Sequence, residues 1–353
     1  MSFRHPGVIA ATVGVVVLTP VVLLNVMPLF RTLRPPQKPL KLPQGVKRTT
    51  TPNGLELWVA LPPDSESNDR ISTGKAPLLL VHGGFGTAHC YAKWLPYLAS
   101  RGRIVYSVSL TGHGQSPRPS NFVKMTVSDY APDLEQTINY IHTQHSELPK
   151  PVVLGHSAGG GLAQYILANR HTPISPPPSS SNNHNSHNSE PLVSGAIFMA
   201  AFPPFGGWTV YMNWFRFDPT LGFRAILCGG DPKAALSSLS LVRNAFFGPR
   251  MREEELERFY AGMNPEESVG WPQTMMLRFI RDVEKVKQGA SGRVAWIGGE
   301  KDALMTQDIV RRAAKEYDAP LIIVKDAGHH LPWDEVWQDA ADAVIAQLDS
   351  WSL

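Results

Sequence analysis

Cysteine is scarce in this chain of 353 residues, where Cys90 and Cys228 are the only two. Small disulfide-stabilised domains and zinc modules both need several cysteines at short, regular spacing, and no such pattern occurs. These classes are therefore excluded, and we expect neither a metal nor another cofactor. The sequence leaves open whether the two cysteines form a single bridge.

A strong excess of either charge is also absent. Lys and Arg total 33 against 30 Asp and Glu, a formal net charge of +3. Beyond the N-terminal region no basic cluster is interleaved with aromatic residues, so binding to nucleic acid is not expected. A hydrophobic content of 43% and a charged content of 18% are typical of a globular protein. The length fits one α/β domain with an insertion.

Charged side chains are missing altogether from residues 8–30. This apolar run is long enough to span a bilayer and does not end in the small-x-small site of a cleaved signal peptide. We predict a single-pass membrane anchor at 1–31, with a secreted protein carrying a signal peptide as the alternative. More basic residues follow the run than precede it, which predicts that the rest of the chain faces the cytosol. The proline-rich, basic residues 32–48 are predicted to form a spacer.

Short β-branched runs alternate with helical patterns from about residue 50 to the C-terminus. This order predicts an α/β fold with a mostly parallel central sheet and helices on both faces, built from residues 49–205 and 289–353. Amphipathic helices are expected at 129–145 and 334–348. The expected strands are 55–60, 77–82, 104–109, 151–156, 194–200, 292–297 and 320–324.

Two segments interrupt the alternation. Residues 171–192 contain three consecutive prolines at 176–178 followed by a Ser/Asn/His tract, which predicts a low-complexity surface loop. Its His184 and His187 have no Cys or acidic neighbours at ligand spacing, so no metal site is expected there. Residues 206–288 lose the strand pattern and predict a helical, apolar cap or lid inserted after the fifth strand. Its aromatic residues are Trp208, Tyr211, Trp214, Phe215, Phe217 and Phe223.

The most informative stretch is PVVLGHSAGGG at residues 151–161. An apolar run ends in G-x-S-x-G and passes into a helical pattern, the order of strand, sharp turn and helix that exposes a serine hydroxyl above a sheet edge. The small residues around Ser157 allow the strained backbone of such a turn. A Gly-rich turn without chemistry is the alternative, but the context favours Ser157 as a nucleophile.

A serine nucleophile needs a base to remove its proton. His329 follows the last predicted strand, after Gly328, and is the candidate base. His330 is the alternative, because it is the next residue along the same turn.

The base in turn needs a group that fixes its tautomer and orientation. Asp302 follows the predicted strand 292–297 and is the candidate acid, with Glu300 in the same loop as the alternative. The chain order Ser157, Asp302, His329, each after a strand, is the order expected of this architecture.

Acyl transfer also needs donors for the developing oxyanion. The strand 77–82 runs into HGGFG at residues 82–86, where the missing side chains let backbone N–H groups approach a substrate oxygen. We expect the N–H of Gly84 or Phe85 to act together with that of Ala158. Two other histidines are expected to shape loops rather than to act as bases, namely His82 and His113.

These motifs together resemble the serine-hydrolase branch of the α/β-hydrolase superfamily, which includes lipases, carboxylesterases and monoacylglycerol lipase-like enzymes. The resemblance covers about residues 50–350. It implies a nucleophile at Ser157, an acid at Asp302, a base at His329 and oxyanion donors at Gly84 or Phe85 and at Ala158. Serine at the elbow argues against the epoxide hydrolase and dehalogenase branches. The motifs are HGGFG at 82–86, GHGQS at 112–116, GHSAG at 155–159, GEKD at 299–302 and AGH at 327–329.

The leading hypothesis is a membrane-anchored serine hydrolase that cleaves hydrophobic esters through an acyl-enzyme. The apolar cap and the anchor at 8–30 both favour a lipid-like acyl substrate over a polar one. Thioesters and amides are less favoured substrates. The alternatives are a tailoring hydrolase, thioesterase or condensing enzyme of specialised metabolism, and a non-catalytic binding protein on the same fold.

Overall fold

The computed structural model describes residues 38–63, 74–169, 190–228 and 231–353. The predicted anchor at 1–31 and most of the predicted loop at 171–192 lie outside the described residues. Among the helices that are described, none has the length and apolar character needed to cross a membrane.

A sheet of eight strands forms the centre of the described chain. In space the strands follow the order first, second, fourth, third, fifth, sixth, seventh, eighth. The second strand pairs antiparallel with both of its neighbours, and every other pair is parallel. The α/β fold with a mostly parallel sheet is thereby confirmed. The strands are β1 Val46–Thr50, β2 Glu56–Ala60, β3 Leu78–Val81, β4 Val105–Val108, β5 Val152–His156, β6 Gly195–Met199, β7 Val294–Gly299 and β8 Leu321–Val324.

Helices follow most of the strands. The longest begins after a capping box in which Thr126 and Asp129 bond each other's backbone, which explains why it starts two residues before the predicted 129. The helices are α1 Trp94–Ser100, α2 Val127–Gln144, α3 Ala158–Asn169, α4 Trp208–Phe217, α5 Leu221–Leu227, α6 Leu239–Phe246, α7 Glu253–Gly262, α8 Gly270–Thr274, α9 Val283–Gly289, α10 Gln307–Glu316 and α11 Trp337–Ser350.

The ordered fold starts earlier than the sequence predicts. Strand β1 begins at Val46, inside the predicted spacer 32–48, and pairs with β2 from Val46 opposite Ala60 to Thr50 opposite Glu56. Its polar residues hide it from a reading of hydrophobic patterns, because an edge strand is held by backbone pairing more than by burial. All seven predicted strands coincide with observed strands to within two residues at either end.

The segment predicted as a cap contains helices and, in its described residues, no strand. Its aromatic residues do not all form an apolar interior, because Trp208 and Phe223 are 38% and 65% exposed. The large hydrophobic side chains that are exposed in the described chain all belong to this segment. They are Trp208, Met212, Phe223, Leu227 and Leu277.

Candidate active site

Ser157 occupies the turn between β5 and α3 with φ of 52°, a left-handed conformation that is unusual for a residue with a side chain. Close packing explains the glycines that follow it. A Cβ on Gly159 would lie 2.2 Å from the His82 carbonyl oxygen, and one on Gly160 would lie 2.3 Å from the Ala201 Cβ. The turn is therefore wedged between neighbouring strands, and the serine is held at the sheet edge.

The structure brings Ser157, His329 and Asp302 into one hydrogen-bonded chain. Ser157 Oγ lies 3.0 Å from His329 Nε2, and His329 Nδ1 lies 2.9 Å from Asp302 Oδ2. All three residues are buried, with 8%, 3% and 4% of their surface exposed. These are the distances at which a base accepts a hydroxyl proton while a carboxylate orients the base.

The second oxygen of the Asp302 carboxylate is also bound. Its Oδ1 accepts hydrogen bonds from the backbone N–H groups of Leu304 and Met305, each at 2.8 Å. The alternative acid, Glu300, lies elsewhere. Its Oε2 accepts the Asp326 N–H at 3.1 Å, and this contact holds the pKa of the Glu300 carboxyl below its usual range. Of the two acids, Asp302 is the one that contacts the histidine.

The alternative base, His330, is buried away from the serine. Its ring packs against phenylalanines at centroid distances from 4.5 to 6.1 Å, and burial lowers its pKa well below the usual value. Gly328, next to His329, lies against the backbone of Phe247, because a Cβ there would be 2.4 Å from the Phe247 carbonyl carbon. The backbone of Phe247 therefore lies too close to Gly328 to leave room for a side chain there. The phenylalanines around His330 are Phe246, Phe247 and Phe259.

The loop HGGFG at residues 82–86 lies directly against Ser157. A Cβ on Gly83 would be 2.7 Å from the Ser157 Cβ, so the peptide N–H of Gly84 is the next donor along from the serine. Within the described residues, neither the Gly84 N–H nor the Ala158 N–H donates a hydrogen bond. The Phe85 N–H instead donates to the Glu267 carboxylate. Of the two alternatives left open by the sequence, Phe85 has its N–H bound, whereas the Gly84 N–H has no acceptor among the described residues.

The two histidines expected to shape loops both make backbone contacts. His82 Nδ1 donates to the Gly83 carbonyl at 2.8 Å, and its Nε2 accepts the Leu110 N–H at 3.1 Å. His113 Nδ1 donates to the Thr111 carbonyl at 3.0 Å. Burial lowers the pKa of His82 well below its usual value, which keeps this ring neutral.

Sequence reasoning missed Glu267. This glutamate follows α7, is 3% exposed, and touches both His113 and the Phe85 N–H. The segment NPEES around Glu267 contains no motif and no periodicity, so only the folded chain reveals its position beside the loop HGGFG.

Neither cysteine forms a bridge, since Cys90 is buried and Cys228 is exposed and both are free thiols. No group of three or more metal-ligating side chains occurs in the part of the chain that the structure describes. The sequence left open whether Cys90 and Cys228 form a bridge, and the structure has them as two separate thiols.

Comparison with known proteins agrees with this architecture. The pyrethroid hydrolase of Sphingobium wenxiniae is 22% identical over 289 residues, which cover 77% of this chain and 88% of that protein. The magnesium-chelatase 30 kDa subunit of Rhodobacter capsulatus is 34% identical over 107 residues. This match covers 30% of this chain and only about a third (34%) of the length of that subunit.

A similar fold occurs in a solved structure of a thermophilic esterase from Thermogutta terrifontis. It superposes with a TM-score of 0.58 at 17% identity and covers 87% of this chain and 98% of the esterase. Residues 78–347 match the model of the alpha/beta hydrolase family. The strand order, the turn at Ser157 and this match together place the chain in the alpha/beta hydrolase family.

Proposed function

We propose that this protein is a serine hydrolase that cleaves carboxylic esters of hydrophobic acids through an acyl-enzyme on Ser157. The observation that carries the proposal is the hydrogen-bonded chain from Ser157 Oγ to His329 Nε2 and from His329 Nδ1 to Asp302 Oδ2. The Ser157–His329 link has the length and burial that proton transfer requires, and the His329–Asp302 link has those of a hydrogen bond that orients the base.

The reaction begins when Ser157 Oγ attacks the ester carbonyl and its proton passes to His329 Nε2. The carbonyl oxygen becomes negatively charged and accepts hydrogen bonds from the N–H groups of Gly84 and Ala158. The imidazolium then protonates the leaving alcohol, and the acyl group remains on Ser157. Water repeats the sequence with His329 as base and releases the acid, while Asp302 holds the imidazole throughout.

Apolar surroundings of the base support a hydrophobic acyl group. The ring of Phe246 lies 5.7 Å from that of His329, and the Met275 side chain lies over the start of α3, 2.4 Å from the place where a Cβ on Gly161 would be. A polar or charged acyl chain would lose its hydration beside these side chains without gaining hydrogen bonds. The name of the pyrethroid hydrolase and the esterase activity named for the Thermogutta protein are consistent with an ester substrate.

Labelling with a fluorophosphonate probe tests the nucleophile. The wild-type protein is expected to be labelled and Ser157→Ala is not, with both proteins giving the same thermal melting curve. Equal labelling of the two would refute the assignment. A panel of p-nitrophenyl esters and matching thioesters of graded chain length then measures the acyl preference, and faster turnover of thioesters would favour a thioesterase instead.

A membrane anchor at residues 8–30 is part of the proposal. Its support is the uncharged apolar run, which is long enough to cross the hydrocarbon core as a helix. The full-length protein is expected in the membrane pellet after a carbonate wash, whereas a chain starting at residue 38 is expected in the supernatant. Recovery of the full-length protein in the supernatant would overturn the anchor.

A further inference from the structure

The cap segment from Asn264 to Glu267 is hydrogen-bonded to the oxyanion loop, which is HGGFG at residues 82–86. The Asn264 N–H donates to the Phe85 carbonyl at 2.9 Å, and the Glu267 carboxylate accepts the Phe85 N–H. Both backbone polar groups of one loop residue are therefore bound by the cap. The same segment also binds the neighbouring loop, because Asn264 Nδ2 donates to the Gly112 carbonyl at 3.1 Å and Asn264 Oδ1 accepts the Gly114 N–H at 3.2 Å.

Phe85, the loop residue that these hydrogen bonds hold, has a strained backbone conformation. Phe85 has φ of 58° and follows Gly84 in a turn that the Gly86 N–H closes onto the Gly83 carbonyl at 3.0 Å. This turn position favours glycine, because a left-handed conformation is unfavourable for a residue that carries a side chain. Such a conformation persists only where the surrounding structure holds it. The Glu267 carboxyl supplies a buried side-chain acceptor for the Phe85 N–H.

The contacts that hold Phe85 also affect the backbone next to Ser157, because Gly83 and Gly84 directly precede Phe85 in the loop. Gly84 lies between Gly83, where a Cβ would come within 2.7 Å of the Ser157 Cβ, and Phe85, whose N–H donates to Glu267 of the cap. The Gly84 N–H shares its peptide plane with the Gly83 carbonyl, which accepts the Gly86 N–H to close the turn, so the direction of the Gly84 N–H depends on the left-handed Phe85 that keeps this turn formed. Fixing the Phe85 N–H therefore fixes the direction of the oxyanion donor, which must be set before the reaction to be effective.

A lone carboxylate in this place would repel the developing oxyanion, but Glu267 is not alone. The His113 Nδ1 donates to the Thr111 carbonyl, and its Nε2 lies 3.2 Å from both oxygens of Glu267. A carbonyl can only accept, so a hydrogen bond to Glu267 requires one further proton on this pair, on either the imidazole or the carboxyl. With that proton the pair is neutral as a whole, and Ser268 N–H at 2.7 Å completes its contacts.

We propose that Glu267, supported by His113, is a positioning residue that orients the oxyanion loop from the cap. This inference rests on the proposed serine hydrolase function. It means that Asn264 and Glu267 hold the catalytic loops from the cap, and that the cap does not lift away at these two residues to admit substrate.

Kinetics of Glu267→Ala with a p-nitrophenyl ester test this role. We expect kcat to fall roughly 10-fold or more with KM changed less than about 3-fold, because the loss falls on the transition state. The Ki of a boronic acid inhibitor, which forms the tetrahedral adduct, is expected to rise in parallel. Glu267→Gln keeps an oxygen that can accept the Phe85 N–H and is expected to recover most of kcat.

A neighbouring carboxylate provides the control. Glu266 is also buried and pairs with Arg118 rather than with the oxyanion loop, so Glu266→Ala removes a similar group from the same segment. Its melting temperature is expected to fall as for Glu267→Ala, but its kcat, corrected for the folded fraction, is expected to stay within about 3-fold of wild type. Equal losses of kcat in the two variants would overturn the proposal, as would a rise of kcat in Glu267→Ala.

The partner histidine gives a second route. His113→Ala is expected to lower kcat, and its effect is expected to be less than additive with that of Glu267→Ala because both act on one contact. Full additivity would contradict a joint action of His113 and Glu267.

Fluorophosphonate labelling of wild-type Ser157 separates this proposal from the proposed function. An unlabelled wild type refutes the hydrolase, whereas normal labelling with unchanged Glu267→Ala kinetics refutes only the positioning role.

Discussion

The imidazole of His156 donates a hydrogen bond from Nε2 to the main-chain carbonyl of His329, over a distance of 2.9 Å. Since a carbonyl only accepts, this contact fixes the His156 tautomer. His156 immediately precedes Ser157, so the turn that carries Ser157 also holds the loop that carries His329. The Nδ1 side of the same ring faces Gly83, where a Cβ would approach to 3.2 Å. One buried ring thus separates the oxyanion loop from the base loop.

Asp302→Asn is expected to lower kcat by about 10³ to 10⁴ without unfolding the protein. The amide has nearly the same shape, but it no longer stabilises the imidazolium and can favour the wrong tautomer of His329. Glu300→Gln is the matched control, because Glu300 lies in the same loop and contacts the Asp326 N–H rather than the base. Steady-state kinetics with a p-nitrophenyl ester measure both variants, and a comparable loss in Glu300→Gln would contradict the assignment of the acid.

His330→Ala is expected to destabilise the fold but to retain the reactive serine. Removing the buried ring leaves a cavity among the phenylalanines of α6 and α7, at a cost of ~3 kcal/mol in the free energy of unfolding. His329→Ala is expected to show the opposite pattern, with loss of fluorophosphonate labelling and little loss of stability. Labelling and urea unfolding of the two variants decide the question. Loss of labelling in folded His330→Ala would exchange the roles of the two histidines.

The elements that meet at the site could be predicted from local patterns. Ser157, Asp302 and His329 each follow an apolar run, and the carboxyl ends of parallel strands converge on one edge of a sheet. Knowing the strands was therefore enough to bring together residues that are up to 172 positions apart in sequence.

Contacts from the cap could not be predicted in this way. The path of residues 264–269 depends on long-range bonds such as that from the Val269 N–H to the Val123 carbonyl at 2.9 Å. No short-range pattern encodes such a bond. The start of the last helix was also misplaced, at 334 instead of Trp337. Asp334 instead accepts the N–H groups of Gly248 and Gly328, at 2.8 and 2.9 Å, and ties the cap to the base loop.

Acidification from pH 6.5 to 4.5 is expected to destabilise the protein through the half-buried His89 and the buried His156. Burial lowers the pKa of His89 to about 4 and that of His156 to about 3. In the unfolded chain both titrate near pH 6.5, so below that pH the unfolded state binds protons that the folded state does not. Each such histidine then removes about 1.4 kcal/mol per pH unit from the free energy of unfolding, until the pH reaches its folded pKa.

Urea unfolding at pH 7.0, 6.0 and 5.0 measures this dependence. His89→Asn is expected to flatten the slope between pH 6.0 and 5.0 relative to wild type, whatever its effect on stability at pH 7.0. His142→Asn is a suitable control at a helical position outside the site. A free energy of unfolding that stays constant across this range would contradict neutral, buried histidines.

Gly83→Ala is expected to lower kcat roughly 100-fold with little change in KM. The added Cβ would lie 2.7 Å from the Ser157 Cβ and 3.1 Å from the His156 carbonyl oxygen, so the loop must move away from the nucleophile and carry the Gly84 N–H with it. Loss of one oxyanion donor accounts for an effect of about this size.

Gly222→Ala is the control for this substitution. Gly222 lies within α5, and its added Cβ would come no closer than 3.8 Å to a ring carbon of Phe215, an ordinary contact. Replacing a helical glycine by alanine is expected to raise the free energy of unfolding by up to about 1 kcal/mol, with kcat unchanged. If Gly83→Ala retained wild-type kcat while remaining folded, the oxyanion loop would not need its close approach to Ser157, and the assignment of Gly84 as a donor would have to be abandoned.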